Sequence, residues 1–221
     1  MNDKAPTAGI ILAAGCSKRL GRPKQLVQMK GRTLIERIVD AALNSELTRI
    51  VLVLGHRHEA ITRLLNQKLG QKLGQKTDPV RFNIVINRHH PEGLSSSLSL
   101  GLAQVKNTHA SVMFLLGDQP LLDAPAINAL LTAFQSSKKD ICVPVQDKKR
   151  GNPTIFSRHF YASIMEIQGD SGARRLIGLN PSCVHHYHTK NPAYFFDIDT
   201  EANVRAWQTM IDPAKHVKMQ R

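Results

Sequence analysis

Residues 9–24 read GIILAAGCSKRLGRPK, and the fold is decided in this stretch. Its opening run, Gly9 to Ala14, is apolar and of the length of a buried strand, and it breaks at Gly15 into a turn-rich loop. The loop gathers Gly15, Ser17, Gly21 and Pro23, interleaved with Lys18, Arg19, Arg22 and Lys24. Glycines let backbone N–H groups approach an anion with no Cβ in the way, and the cations neutralise its charge. A polyphosphate is the ligand this chemistry suits. The competing reading, an ordinary strand-to-helix connection with solvated charges, does not account for so many cations beside two glycines. The spelling lacks the GK[ST] ending of a Walker A loop, where Pro23 would also withhold a backbone N–H, and it contains no G-x-G-x-x-G.

Outward from the loop, strands and helices alternate. Thr33-Leu-Ile-Glu36 is a capping box, so a helix starts at Thr33 and buries the stripe Leu34, Ile35, Ile38, Val39, Ala42 and Leu43. Arg49 to Gly55 is a buried strand, His58 to Leu69 an amphipathic helix, and Val80 to Asn87 a third strand. QKLG, repeated within residues 67–76, reads as a duplication that extends a solvated helix end or loop. Ser95, Ser96 and Ser97 would open the next helix, collecting three hydroxyls and free N–H groups at its positive end. Ala110 to Leu116 is a fourth buried strand that runs into Gly117-Asp118-Gln119-Pro120. A carboxylate at that position points into the crevice where α/β sheets bind ligands, and Mg²⁺ accepts one or two carboxylates plus phosphate oxygens. A turn-forming Asp reads equally well from the residues alone. Asp123 caps a helix, Ile141 to Val145 is a fifth strand, and Gln146 to Gly151 is a polar turn. Arg158 to Ile167 is helical, and Gly169 to Arg174 opens another helix. His185, His186 and His188 lie on an edge strand with no third metal ligand at convincing spacing. Thr200 caps a last helix containing Trp207, and residues 212–221 form a polar tail.

The expected fold is therefore a single α/β domain over residues 1–221, a three-layer α/β/α sandwich around a mostly parallel sheet. Residues to about 145 form its nucleotide side and about 146–211 its acceptor side. With 42% hydrophobic and 21% charged residues the composition is that of a globular chain. Its net charge of +13 is concentrated in the loop-bearing half, with 17 basic against 7 acidic residues in 1–110 and 13 against 10 in 111–221. That balance suits an anionic substrate. Nucleic-acid binding is the minor reading, because an aromatic content of 5% offers no stacking platform. Three scattered cysteines imply neither a disulfide framework nor a zinc site, and no leader or membrane-length run is present, so the expected location is the cytoplasm.

Leu12 to Leu26 also resembles the signature LAAGxSxRxGxPKxL of the MobA-like nucleotidyltransferases, and five further stretches carry the resemblance. GLSSSL (93–98) stands for the family's GMSSSL, GDQP (117–120) matches letter for letter, and GNP (151–153) stands for GHP. GDSGAR (169–174) fits GDxGAR, and DIDTEANV (197–204) keeps the first half of DIDTPEDL. The resemblance implies a Rossmann-like nucleotidyltransferase fold. It implies that Leu12, Ala13, Ala14, Gly15, Ser17 and Lys18 contact the nucleotide, with Arg19 and Lys24 the main phosphate contacts. Ser95, Ser96 and Ser97 would meet the base and ribose. Asp118 and Asp199, with Asp197 as the substitute, would hold Mg²⁺, for which Mn²⁺ can stand in. Asn152, Gly169, Asp170, Gly172 and Arg174 would face the second substrate. LAAG with Ala14, Pro23-Lys24 and GDSGAR resemble the cytidylyltransferase branch, whose substrates are CTP and the molybdenum cofactor. A molybdoenzyme or its maturation chaperone is the implied onward partner. Another phosphorylated acceptor, GTP in place of CTP, and a catalytically silent cofactor carrier are the alternatives.

Overall fold

The computed structural model describes residues 5–73 and 81–211. β1 (Thr7–Ala13) is buried along its whole length. Its side chains alternate between two packed faces: Ile11 and Ala13 enter one apolar cluster, Ala8, Ile10 and Leu12 the other. After the loop come two short strands, β2 (Gln28–Met29) and β3 (Arg32–Thr33), which pair through a turn with positive φ at both Lys30 and Gly31. The chain then alternates through α1 (Leu34–Leu43), β4 (Arg49–Leu54), α2 (His58–Leu73), β5 (Phe82–Ile86), α3 (Leu94–Ala103), β6 (Ser111–Leu116), α4 (Ala124–Ser137) and β7 (Ile141–Gln146). β8 (Lys149–Arg150), β9 (Thr154–Ser157), α5 (Tyr161–Met165), α6 (Arg174–Leu179), β10 (Val184–His188) and α7 (Glu201–Ile211) complete it.

The main sheet has the order β10-β7-β9-β6-β1-β4-β5, with β8 also on β7. β6, β1, β4 and β5 are mutually parallel, as are β7 and β10. β9 runs antiparallel between β6 and β7. The polar turn expected at 146–151 is thus a hairpin, β7–β8, whose return path continues as β9 after an interruption at Gly151-Asn152-Pro153. α1, α2 and α4 pack against one face of the sheet, and α3, α5 and α6 against the other. That is the three-layer sandwich read from the alternation. At Gly101 of α3 an added Cβ would lie 2.4 Å from Ile10 Cγ2, so the glycine sets how closely this helix approaches β1.

A third, smaller cluster joins Leu20 of the loop, Val27, Met29, Leu34, Ile198, Val204 and Trp207. It fixes α7, and the DIDT segment before it, onto the end of the cationic loop. Arg37 lies over the Trp207 ring at 5.3 Å.

The helix starts follow local rules. Thr33 N donates to Glu36 Oε2 at 2.7 Å, and Glu36 N donates to Thr33 Oγ1 at 3.3 Å. Asp123 accepts from Ala126 N at 2.9 Å. Thr200 and Asn203 exchange the same reciprocal bonds, Asn taking the place of an acid in the box. α2 runs on through Leu73, into the first QKLG copy and beyond it; residues 74–76 of that duplication, Val80, and the tail 212–221 fall outside the described residues. The Arg158–Ile167 helix is shorter than read, a 3₁₀ turn (Arg158–Phe160) followed by α5, with Ser157 as its cap.

Because Thr33 is fully buried, its hydroxyl cannot be replaced by water. Thr33→Ala is expected to lower unfolding free energy by about 1–2 kcal/mol in denaturant titration, and Thr33→Ser to retain most of it. An unchanged midpoint for the alanine variant would contradict the cap.

Candidate active site

β1 and β6 are neighbours in register, with Leu12 opposite Leu116, and Gly117 N donates to Leu12 O at 3.0 Å. From β1 the chain crosses to β4 on one side, while β6 lies on the other. The carboxyl ends of β1 and β6 therefore form the switch point at which open α/β sheets bind ligands. A cleft of about 310 Å³ opens there. Leu12, Ala13, Ala14, Gly15, Arg19 and Lys24 line it from the β1 side. Ser97, Asp118, Asp170 and Asp199 are among the residues on the rest of its wall.

One ammonium ties the site together. Lys24 Nζ donates to Asp118 Oδ2 at 2.5 Å and to Asp199 Oδ1 at 2.9 Å. Arg19 adds a bond to Asp199 Oδ2 at 3.0 Å, and Arg22 pairs with Glu201 at the start of α7. Burial pushes the Asp118 carboxyl above its ordinary range; Lys24 opposes this, and Asp197 and Asp199 add to it. Burial likewise works to lower Lys24, but Asp118 and Asp199 together outweigh it and hold the ammonium charged above its ordinary value. Asp118 Oδ1 is buried with no hydrogen-bond partner.

The loop keeps its shape by internal bonds. Ser17 takes the left-handed conformation (φ 54°), its carbonyl accepts from Leu20 N and Gly21 N, and its Oγ accepts from Lys24 N at 3.0 Å. Ser17 thus folds the loop and does not line the cleft. Lys18 is exposed and outside it as well. Gln25, absent from the sequence reading, is fully buried and donates to Ala13 O and Gly15 O at 3.0 and 3.2 Å. The signal available for it was a lone amide side chain set inside an otherwise basic and apolar stretch.

The three serines divide their work differently from the expectation. α3 begins at Leu94, and its first amides are not free: Leu94 N donates to Asp170 Oδ1 and Ser95 N to Gly169 O. A carboxylate from a loop 76 residues away already complements the positive helix end. Asn87 Nδ2 donates to both Ser96 Oγ and Ser97 Oγ, bracing the helix start. Of the three, Ser97 lines the cleft. Gly93 (φ 110°) permits this docking, since a Cβ there would meet Gly169 C at 2.4 Å. His90, also missed, lines the cleft with its Nδ1 3.8 Å from Cys16 Sγ.

Asp170 bridges to a neighbouring cavity of about 320 Å³, which Asn152, Gly172 and Arg174 also line. Gly169 lines neither space, its carbonyl being engaged by Ser95. Asp197 is exposed on a third cavity beside Arg174. His186 and His188 sit on the sheet's edge strand, remote from these groups in the topology.

A Rossmann-like sheet whose switch point carries a cationic loop and facing carboxylates has the layout of an NTP-using transferase. The chain belongs to that class by descent: the MobA-like NTP transferase domain matches residues 9–188, and the protein is an enzyme of the nucleotidyltransferase family. It is 29% identical over 199 residues to a protein named nicotine blue oxidoreductase from Paenarthrobacter nicotinovorans, covering 87% of this chain and 91% of that one. Purine catabolism protein PucB of Bacillus subtilis (strain 168) is 26% identical over 170 residues, covering 76% and 79%. Among solved structures, Rv0371c from Mycobacterium tuberculosis H37Rv is similar at a TM-score of 0.74 and 24% identity, covering 93% of this chain and 98% of that one. A complex of Rv0371c with manganese gives 0.70 and 22%, covering 91% and 97%. At these identities the structural likeness speaks to the fold.

Removing Lys24 leaves Asp118 without its counter-charge and Asp199 with Arg19 alone, whereas Asp118→Asn leaves Lys24 still paired with Asp199. Lys24→Ala is therefore expected to destabilise by roughly 3 kcal/mol, and Asp118→Asn by clearly less. Since the folded-state pKa of Asp118 is raised, the native chain takes up its proton before the unfolded one as pH falls. The Lys24→Ala penalty should accordingly shrink as pH is lowered into the carboxylate range. Equal penalties with no pH dependence in thermal melts would contradict the arrangement.

Proposed function

We propose that the enzyme is a CTP:molybdopterin cytidylyltransferase, which transfers CMP to the terminal phosphate of the molybdenum cofactor and releases pyrophosphate. The observation that carries nucleotidyl transfer is the convergence of Asp118 and Asp199 on Lys24 at the mouth of a cationic loop. What supports the cytidylyl reading is Ala14. It is buried in the cleft wall, and its carbonyl is fixed by His56 N at 3.2 Å, so its methyl group narrows the space beside the base. A pyrimidine needs less of that space than a purine.

In this reading a phosphate oxygen of the acceptor attacks the α-phosphorus of CTP, and the bond to the β-phosphate oxygen breaks with its electron pair leaving on pyrophosphate. The nucleophile is already an anion, so no general base is required. Lys24 and Arg19 exchange their carboxylate partners for phosphate oxygens and stabilise the departing charge. Gln25 keeps the carbonyls of Ala13 and Gly15 turned away from the anion. Asn152, Gly172 and Arg174 face the acceptor.

The partnerless Asp118 Oδ1 and the adjacent Asp199 fit a hard divalent cation, Mg²⁺ or Mn²⁺. Among the described residues no three His, Cys, Asp or Glu side chains form a cage, which agrees with a metal held partly by substrate phosphates. When bound, the ion supplies charge stabilisation at the α-phosphate. The manganese complex of Rv0371c supports the same choice of metal class. Among the described residues no helix is long and apolar enough to cross a membrane, and small molecules are the proposed substrates.

With Mg²⁺ present, CTP is expected to raise the melting temperature more than GTP at equal concentration, because a ligand of the folded state stabilises it according to its affinity. A larger shift with GTP would transfer the protein to the guanylyl branch.

A further inference from the structure

The β7–β8 hairpin roofs a cavity of about 550 Å³ whose rim is formed by Lys148, Lys149, Arg150 and Arg174. Asp197 is the one carboxylate among its lining residues. Among the described residues none of the four cations forms an ion pair; Lys149 Nζ donates only to Phe195 O, at 3.4 Å. The charge is felt nearby: His186 is held below its ordinary value by partial burial, then by Arg150 and the flanking histidines.

The cavity floor is tied together by hydrogen bonds. Gln119 is buried, and its Nε2 donates to Asn152 O at 3.1 Å and, more distantly, to Ala193 O and Tyr194 O. Asn152 N donates to Tyr194 O, and a Cβ at Gly151 would lie 2.4 Å from that same oxygen. Gln119 follows Asp118 directly, so the floor is anchored to the carboxylate of the reacting centre. The cavity is continuous with it in another way. Asn152 and Arg174 also line the middle cavity, which shares Leu12, Leu94 and Asp170 with the nucleotide cleft.

Like charges crowded on a short hairpin repel each other, and among the described residues neither Asp147 in the hairpin turn nor Asp197 in the cavity lining is ion-paired with them. We infer that this cavity is the acceptor's distal subsite and that the acceptor is a polyanion, with anionic groups beyond the phosphate that attacks. The inference rests on the nucleotidyl-transfer reading and sharpens it. A sugar phosphate with a neutral body would leave the hairpin cations unmatched, whereas a cofactor bearing further anionic groups would engage them. Lys148 and Arg150 are specificity-determining residues in this scheme, and Gln119 a positioning residue.

The test uses the full chain and the double variant Lys148→Ala/Arg150→Ala, with Arg175→Ala, which lines none of these cavities, as control. In calorimetry, inorganic tripolyphosphate should occupy two sites on the unsubstituted chain, the phosphate loop and the hairpin cavity, and one site on the double variant. One site on both proteins overturns the subsite. In turnover with CTP and the molybdenum cofactor, the double variant should raise the acceptor KM by about tenfold or more, leaving the CTP KM and kcat within about twofold. An unchanged acceptor KM overturns the acceptor assignment. If the unsubstituted chain shows no turnover with this cofactor, the proposed function fails, and the tripolyphosphate stoichiometry still decides the subsite on its own.

Discussion

A single ammonium, that of Lys24, joins three segments that are far apart in the chain. It reaches Asp118 across 94 residues and Asp199 across 175, from a loop that leaves β1, an interior strand of the sheet. The pairing keeps two carboxylates from repelling one another in a part-buried cleft, and it holds the loop beside the strand end that carries Asp118. The rest of the fold serves this placement. The small core around Trp207 presses the DIDT segment against the loop, Gln25 and Ser17 fix the loop from within, and the Leu12–Gly117 bond fixes the two strand ends.

The same pairing gives the site a resting state suited to exchange. Arg19 and Lys24 are occupied by carboxylates, and those carboxylates are the groups a divalent cation would claim. A nucleotide triphosphate with its metal brings both charges at once, so each partner can be replaced without a buried ion being left alone. A stably charged Lys24 and a carboxyl at Asp118 raised by burial are what such a balanced cluster requires.

Much of this was legible in the sequence where the determinants are local. The buried strand before Gly15, the reciprocal cap at Thr33, the Asp123 cap and the strand-end position of Asp118 follow from periodicity and short-range hydrogen bonding. What escaped was non-local. β9 inserts antiparallel between β6 and β7 because Ser111 pairs with Ser157, a register that no short window contains. The α3 amides were expected to be free, yet Gly169 and Asp170 satisfy them from another loop. Gln25 was passed over because its role depends on two carbonyls that face it only after the loop has folded. The polar run at 146–151 read as a turn, and its cations come to line a cavity only when the hairpin is set against Gln119 and Tyr194.

The central claim is that these charges serve transfer of a nucleotidyl group to a phosphorylated cofactor. The most direct measurement is mass spectrometry of the products formed from CTP, molybdenum cofactor and a divalent metal, with pyrophosphate quantified in parallel. The account predicts a product heavier than the cofactor by one cytidylyl unit, with one pyrophosphate released for each, and none with Asp118→Asn. Pyrophosphate release without that adduct, or full activity in the Asp118 variant, would contradict it.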